Sequence, residues 1–182
     1  MELLKKILRR RRQGPLPQPS TEVVWEDYLR RLQPDDRENV AEVCRRLSTL
    51  AAAEHLPLTV MAVGSVLNSR EYYRDLDLLL LPLHKRDVVR AEEIFERFVT
   101  NQPEVVRDET HPERRVKEGK WWSLHLYDVC RYWSLQFPCG KYMDLFVYTD
   151  FRRMTLREKL EMEAEEALFF QRKFAYLTIT PP

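Results

Sequence analysis

Two short aliphatic segments occupy the middle of the sequence, and turn-forming residues bound them. Residues 58–63 lie between Pro57 and Gly64, and residues 75–81 run directly into Pro82. Segments of this length and aliphatic content are typical of strands that are buried on both faces of a sheet. We therefore expect a sheet in which these two segments are central strands.

Four helices are predicted around these strands, because apolar residues recur there at every third or fourth position. They cover residues 21–32, 35–56, 84–99 and 155–173, and the first is expected to bury Val24 beside its aromatic residues. Two helices are expected to open with a capping box, in which a polar side chain and a glutamate three residues later cap the first turn. The residues of the two boxes are Asp35 with Glu38, and Thr155 with Glu158.

Three further strands are predicted at residues 122–129, 132–137 and 141–148, with a Pro-Cys-Gly turn at 138–140. They follow one another as a meander, and their aromatic residues are expected in the core. Residues 101–120 are charged and interrupted by prolines, which indicates a loop or a weak hairpin. The sequence thus predicts an α/β (α+β) domain, with a mixed sheet of about five strands flanked by helices.

Composition limits the class of protein. A chain of 182 residues that is 44% hydrophobic suits one globular domain, which we expect at 21–182 after a basic arm and proline-rich linker at 1–20. The arm is either a solvated helix or a contact for acidic lipid, RNA or a partner. Thirty basic residues nearly balance twenty-nine acidic ones, which argues against a polyanion-coating protein. Three scattered cysteines and no leader or membrane-spanning run suggest a soluble, cytoplasmic protein.

Three carboxylates and one turn are the candidate chemical site. Side chains alternate along a strand, so Asp75 and Asp77 are expected on one face, where they need a cation, a shared proton or bulk water. Asp144 interrupts the apolar alternation of the last predicted strand and offers a third carboxylate. Gly64 permits a close approach of the backbone to a ligand, and Ser65 adds a hydroxyl and an amide. This all-oxygen donor set suits Mg²⁺ beside a phosphate.

In their order and context, these residues resemble the signature of the polymerase-β-like nucleotidyltransferase superfamily. The signature reads Gly64-Ser65 after an apolar strand, nine residues, Asp75-Leu-Asp77 in the next strand, and Asp144 in a later one. The resemblance implies two Mg²⁺ ions, or Mn²⁺ in their place, that Asp75 and Asp77 bridge. It implies that Asp144 completes the shell of the second ion and accepts a proton. The implied reaction displaces pyrophosphate from a nucleoside triphosphate.

The resemblance covers roughly residues 36–150 and carries no code for the acceptor, which is a hydroxyl of RNA, of a protein or of a small molecule. Arg70 and Arg74 flank the turn and are candidates for binding the phosphates of the nucleotide. Some small superfamily members act as toxins or antitoxins, and a second copy or another protein is a candidate for completing the acceptor wall. Two alternatives stay open: an inactive nucleotide- or nucleic-acid-binding module, and a structural interaction domain.

Overall fold

The computed structural model is built around a six-stranded mixed sheet with helices on both sides. The predicted α+β class and the helix-flanked mixed sheet are therefore confirmed. The described residues are 22–68, 73–109, 130–148, 153–170 and 173–181.

The order of the strands brings two separate parts of the chain together where two central strands of the sheet begin. Spatially the order is β3-β4-β5-β2-β1-β6. β2 and β5 are parallel, while each other neighbouring pair is antiparallel, so β2 and β5 begin at the same edge. The strands are β1 Leu58–Val63, β2 Leu76–Pro82, β3 Val105–Glu109, β4 Cys130–Leu135, β5 Met143–Tyr148 and β6 Ala175–Ile179.

The two longer helices after β2 cover opposite faces of this sheet. Arg131 of β4 is the register partner of Val147 in β5 and forms a salt bridge at 2.6 Å with Glu96 of the helix that follows β2, so this helix packs on the face that bears Val147. The ammonium of Lys159 lies 5.9 Å from the ring centroid of Tyr148, which points to the other face because neighbouring strand residues alternate. The helices are α1 Trp25–Arg31, α2 Pro34–Glu54, α3 Ser65–Asn68, α4 Val88–Thr100 after a 3-10 turn at Lys85–Asp87, and α5 Leu156–Phe170.

The strand predictions are correct for the apolar segments and wrong for two others. β1 has the predicted bounds, and β2 begins one residue later than predicted. β3 lies within residues 101–120, which were predicted as a loop or a weak hairpin, and β6 was not predicted. Both are edge strands, so one side of each lacks a neighbour in the described sheet. β3 ends in three charged residues, which weakens its apolar pattern, whereas β6 is uncharged and was missed although its composition favours a strand. The strand predicted at 122–129 lies outside the described residues.

The helix starts show one correct capping prediction and one wrong one. At α5, Glu158 accepts a hydrogen bond from the Thr155 backbone N–H at 2.9 Å, and the Thr155 hydroxyl accepts one from the Glu158 N–H at 3.3 Å. The Asp35 capping box is wrong, because α2 already begins at Pro34, a favoured first helical residue. Val24 is 59% exposed rather than buried, since it is the residue that precedes α1.

The core is continuous across both faces of the sheet, and Trp133 is fully buried in it, as expected. Cys44, Cys130 and Cys139 are free thiols. Among the helices in the described part of the chain, none combines the length and apolar content that crossing a bilayer requires.

Candidate active site

The register of the sheet places two of the predicted acids side by side. Asp77 of β2 is the Cα partner of Asp144 in the parallel strand β5. Partners in register carry their side chains on the same face, so both carboxylates project from one face near the edge where their strands begin. The same row continues to Val63 on β1 and to Ser134 on β4. Residues far apart in the sequence therefore form one continuous row across four strands.

Asp75 lies in the bend just before β2, outside the hydrogen-bonded ladder. Its charge nevertheless acts on Asp77. Burial, and after it the charges of Asp75 and Asp144, raise the pKa of Asp77 from an ordinary value of 3.8 to about 7. The ionised carboxylates of the site therefore repel one another, and a bound cation would offset this repulsion.

The Gly64 turn lies directly against the Asp77 carboxylate. Gly64 has φ +87°, and a Cβ atom at this position would stand 2.1 Å from Asp77 Oδ2. A side chain would thus be excluded both by the left-handed backbone and by the contact. The next residue, Ser65, begins α3, and its Oγ is buried without a hydrogen-bond partner among the described residues. This hydroxyl is a polar group that a ligand would satisfy.

Ser134 belongs to the site but was not predicted from the sequence. Its hydroxyl lies 2.5 Å from Asp144 Oδ1, to which it donates a hydrogen bond, and the side chain is buried. A hydroxyl donor fixes the orientation of the carboxylate. Only the pairing of β4 with β5 reveals this contact, because a serine in an apolar strand gives no signal by itself.

Of the two arginines predicted to bind phosphate, the structure describes one. Arg74 is exposed in the bend next to Asp75. Arg70 lies outside the described residues, as do the basic arm and linker at 1–20. The structure thus brings together Gly64, Asp77 and Asp144, with Asp75 at the edge of the group.

The donors of this site match a hard cation in type, but they do not form a finished ligand set. Among the residues that the structure describes, no three His, Cys, Asp or Glu side chains are arranged so that they could hold a metal ion. Asp77 and Asp144 share a face, and Asp75 interacts with Asp77 electrostatically. Side-chain rotation would have to draw the three carboxylates together around an ion. In donor type and mutual repulsion, the residues fit Mg²⁺.

The chain has a weak likeness to two solved structures, a CCA-adding enzyme in complex with CTP and a CCA-adding enzyme in complex with ATP. The first is 16% identical with a TM-score of 0.35, over 87% of this chain and 30% of the other. The second is 17% identical with a TM-score of 0.35, over 86% and 30%. The chain thus spans about 30% of the length of these proteins. A likeness of this degree establishes neither family nor activity.

No protein-family model matches the chain, and no curated protein matches it. Any functional conclusion therefore depends on the geometry of the site itself.

Proposed function

We propose that this chain is a divalent-metal-dependent nucleotidyltransferase, which moves a nucleoside monophosphate from a triphosphate to a hydroxyl and releases pyrophosphate. The observation that supports it most is the register of β2 with β5, which puts Asp77 next to Asp144 while Gly64 touches Asp77 from β1. Two acids from separate strands would hold a divalent cation that neutralises phosphate charge, and the glycine turn with its unsatisfied hydroxyl would allow the phosphates to approach the backbone closely. Phosphoryl transfer needs both.

Asp75, Asp77 and Asp144 would hold the metal, which when bound neutralises triphosphate charge and polarises the attacking hydroxyl. Burial and then the repulsion from Asp75 and Asp144 raise the pKa of Asp77, and both give these carboxylates a physical reason to bind cations. Mg²⁺ is the expected ion, and Mn²⁺ is expected to substitute for it because it accepts the same oxygen ligands.

The remaining roles follow from the contacts of the chain's own residues. Asp144 would accept the proton of the acceptor hydroxyl, and the hydrogen bond from Ser134 would hold its carboxylate oriented for that purpose. Gly64 would allow the phosphates to approach the backbone, and the Ser65 hydroxyl would donate to a phosphate oxygen. Arg74, which is exposed in the bend beside Asp75, would contribute a further donor.

A non-catalytic nucleotide-binding module is the second candidate. It is favoured by the fact that, among the described residues, no three acidic, His or Cys side chains are arranged so that they could hold a metal ion. The two candidates differ in one observable, because a module binds a triphosphate without consuming it.

The test uses the full-length protein with α-labelled ATP or CTP, Mg²⁺, and RNA, protein and small-molecule fractions from cells as acceptors. Transfer of label with release of pyrophosphate is expected from the wild type. Asp77→Asn and Asp144→Asn should each lower transfer by at least about 100-fold, as for loss of a group that acts on the reacting atoms. Asp27→Asn on the surface of α1 is the matched control and should keep full activity. Undiminished transfer by Asp77→Asn would refute this mechanism.

A further inference from the structure

A buried carboxylate outside the row of acids connects the two chain segments that lead into it. Asp36 lies in the first turn of α2 and is 1% exposed. A carboxylate is rarely buried to this extent unless hydrogen bonds compensate for its lost hydration. The partners of Asp36 therefore indicate what it does.

The first partner of Asp36 is the segment before β2. The Tyr73 hydroxyl donates a hydrogen bond to Asp36 Oδ2 and accepts one from the Gln33 N–H at 2.9 Å. Burial, together with this bond to Asp36, raises the pKa of Tyr73 to about 12, so the hydroxyl keeps the proton that it donates. Tyr73 precedes Asp75 by two residues. Asp36 thus anchors the bend that carries the first acid.

The second partner of Asp36 is the segment before β5. The backbone N–H of Lys141 donates to Asp36 Oδ1 at 2.7 Å, three residues before Asp144. Gly140 has φ +94°, and a Cβ atom there would stand 2.6 Å from the same oxygen. The amide of Asn39, one turn along α2, donates to the Cys139 carbonyl at 2.8 Å. The turn before β5 is thus fitted closely against α2.

These contacts supply what the sheet lacks. The ladder between β2 and β5 begins at the pair Leu76 and Met143, so it fixes Asp77 relative to Asp144 but does not include Asp75. Both oxygens of the Asp36 carboxylate are used, one for each segment. One carboxylate therefore joins the Asp75 bend to the start of β5, in addition to the hydrogen bond from the Leu76 N–H to the Tyr142 carbonyl at 2.9 Å and the Lys141 ammonium 5.6 Å from the Tyr73 ring centroid.

We propose that Asp36 is a positioning residue that sets the separation of Asp75 from Asp144 by joining Tyr73 to Lys141. The proposal rests on the function proposed above in treating these acids as metal ligands. A role in stability alone would weaken the fold without coupling the two segments. Two measurements separate these cases.

The first measurement requires no metal: hydrogen exchange of the full-length protein in EDTA, comparing wild type, Tyr73→Phe and Ile94→Val. Tyr73→Phe removes only the hydroxyl that donates to Asp36 and keeps the ring, over which the Lys141 ammonium lies at 5.6 Å. If Asp36 couples the segments, the exchange rate of the amides at 141–144 rises at least about fivefold in Tyr73→Phe. The measurement is made without denaturant, under conditions in which the variant is folded. Ile94→Val, a core change on α4, controls for general loss of stability and should leave the ratio of 141–144 to the other strands unchanged. Unchanged exchange at 141–144 in Tyr73→Phe would overturn the proposal, whatever the wild type binds.

The second measurement is binding of Mn²⁺ alone, detected by electron paramagnetic resonance. Tyr73→Phe and Asp36→Asn are expected to weaken Mn²⁺ binding about tenfold, the usual effect of removing a group that orients a ligand, while Ile94→Val binds as the wild type does. Wild-type affinity in both network variants would overturn the proposal. Failure of the wild type itself to bind Mn²⁺ would instead contradict the proposed function, and the exchange result alone would then decide whether Asp36 couples the two segments.

Discussion

Replacing Asp77 by asparagine should stabilise the metal-free protein, although it should abolish activity. The side chain is half-buried, and burial together with the charges of Asp75 and Asp144 raises its pKa from 3.8 to about 7. At a pH between these two pKa values, Asp77 keeps its proton in the folded protein and has lost it in the unfolded chain. Its contribution to stability is therefore greatest below about pH 4 and is lost as the pH rises to about 7.

The expected size follows from the same two values. One pKa unit corresponds to about 1.4 kcal/mol, so ionised Asp77 costs about 4 kcal/mol at pH 8 and about 1.5 to 2 kcal/mol at pH 5, relative to low pH. Both figures are upper values for a group with some solvent contact. Asp77→Asn has nearly the same shape and no charge, so its advantage over the wild type should grow by about 2 to 3 kcal/mol from pH 5 to pH 8.

Urea unfolding of both proteins in EDTA at pH 5 and pH 8 measures this difference. Asp27→Asn, on the surface of α1, controls for removing a carboxylate as such and should change stability by no more than about 0.5 kcal/mol at either pH. Excess Mg²⁺ at pH 8 should then stabilise the wild type and leave Asp77→Asn unchanged, since an ion that binds only the folded state raises its stability. An advantage that is the same at both pH values would refute the electrostatic account of the site.

Three further predictions concern other parts of the molecule. Gly64→Ala should lower nucleotide transfer at least about tenfold in an activity assay and the free energy of unfolding in urea by about 1–3 kcal/mol. The reason is that the new methyl group strains a left-handed backbone and clashes with the carboxylate of Asp77. Ser134→Ala should lower transfer about tenfold and Ser134→Thr should restore part of it, since the hydroxyl orients Asp144. Glu163→Ala should cost about 3–5 kcal/mol in urea unfolding, because it leaves buried Lys159 without its partner at 2.6 Å.

Each of these predictions has a clear contrary result. Wild-type transfer by Gly64→Ala would show that the turn does not approach the substrate. Equal activities of the alanine and threonine variants at Ser134 would show that the hydroxyl does not contribute to transfer. A stability loss of less than about 1 kcal/mol in Glu163→Ala would mean that Lys159 finds water or another partner.

The part of the fold that the sequence predicted well is the part with strong local patterns. β1 and β2 are dense in aliphatic residues and are bounded by Pro57, Gly64 and Pro82. Such patterns are set by burial on both faces, so they are visible without knowledge of neighbours. β3 could not be identified in this way, because an edge strand pairs on one side and tolerates charged residues, which form its last three positions. β6 is uncharged and contains aromatic and β-branched residues, so its sequence does favour a strand and the prediction missed it.

The candidate site was predictable only in part, for a related reason. Asp75, Asp77 and Asp144 stand out as charges in segments predicted as apolar strands, and alternation predicted a shared face for the first two. The position of Asp77 beside Asp144 follows from the register of β2 with β5, which neither strand encodes by itself. Ser134 and Asp36 are noticeable only through partners that are 10 and 105 residues away in the sequence. No local pattern encodes such contacts, because they depend on strand register and on how α2 docks.

The central claim, that these carboxylates bind a metal-bound triphosphate, is tested most directly by calorimetric titration of ATP and CTP into wild type and Asp144→Asn, with Mg²⁺ and with EDTA. We predict that wild type binds at least one of the two nucleotides with Mg²⁺, that EDTA removes this binding, and that Asp144→Asn weakens it by at least about tenfold. Binding that is equally strong in EDTA, or unchanged in Asp144→Asn, would contradict the account.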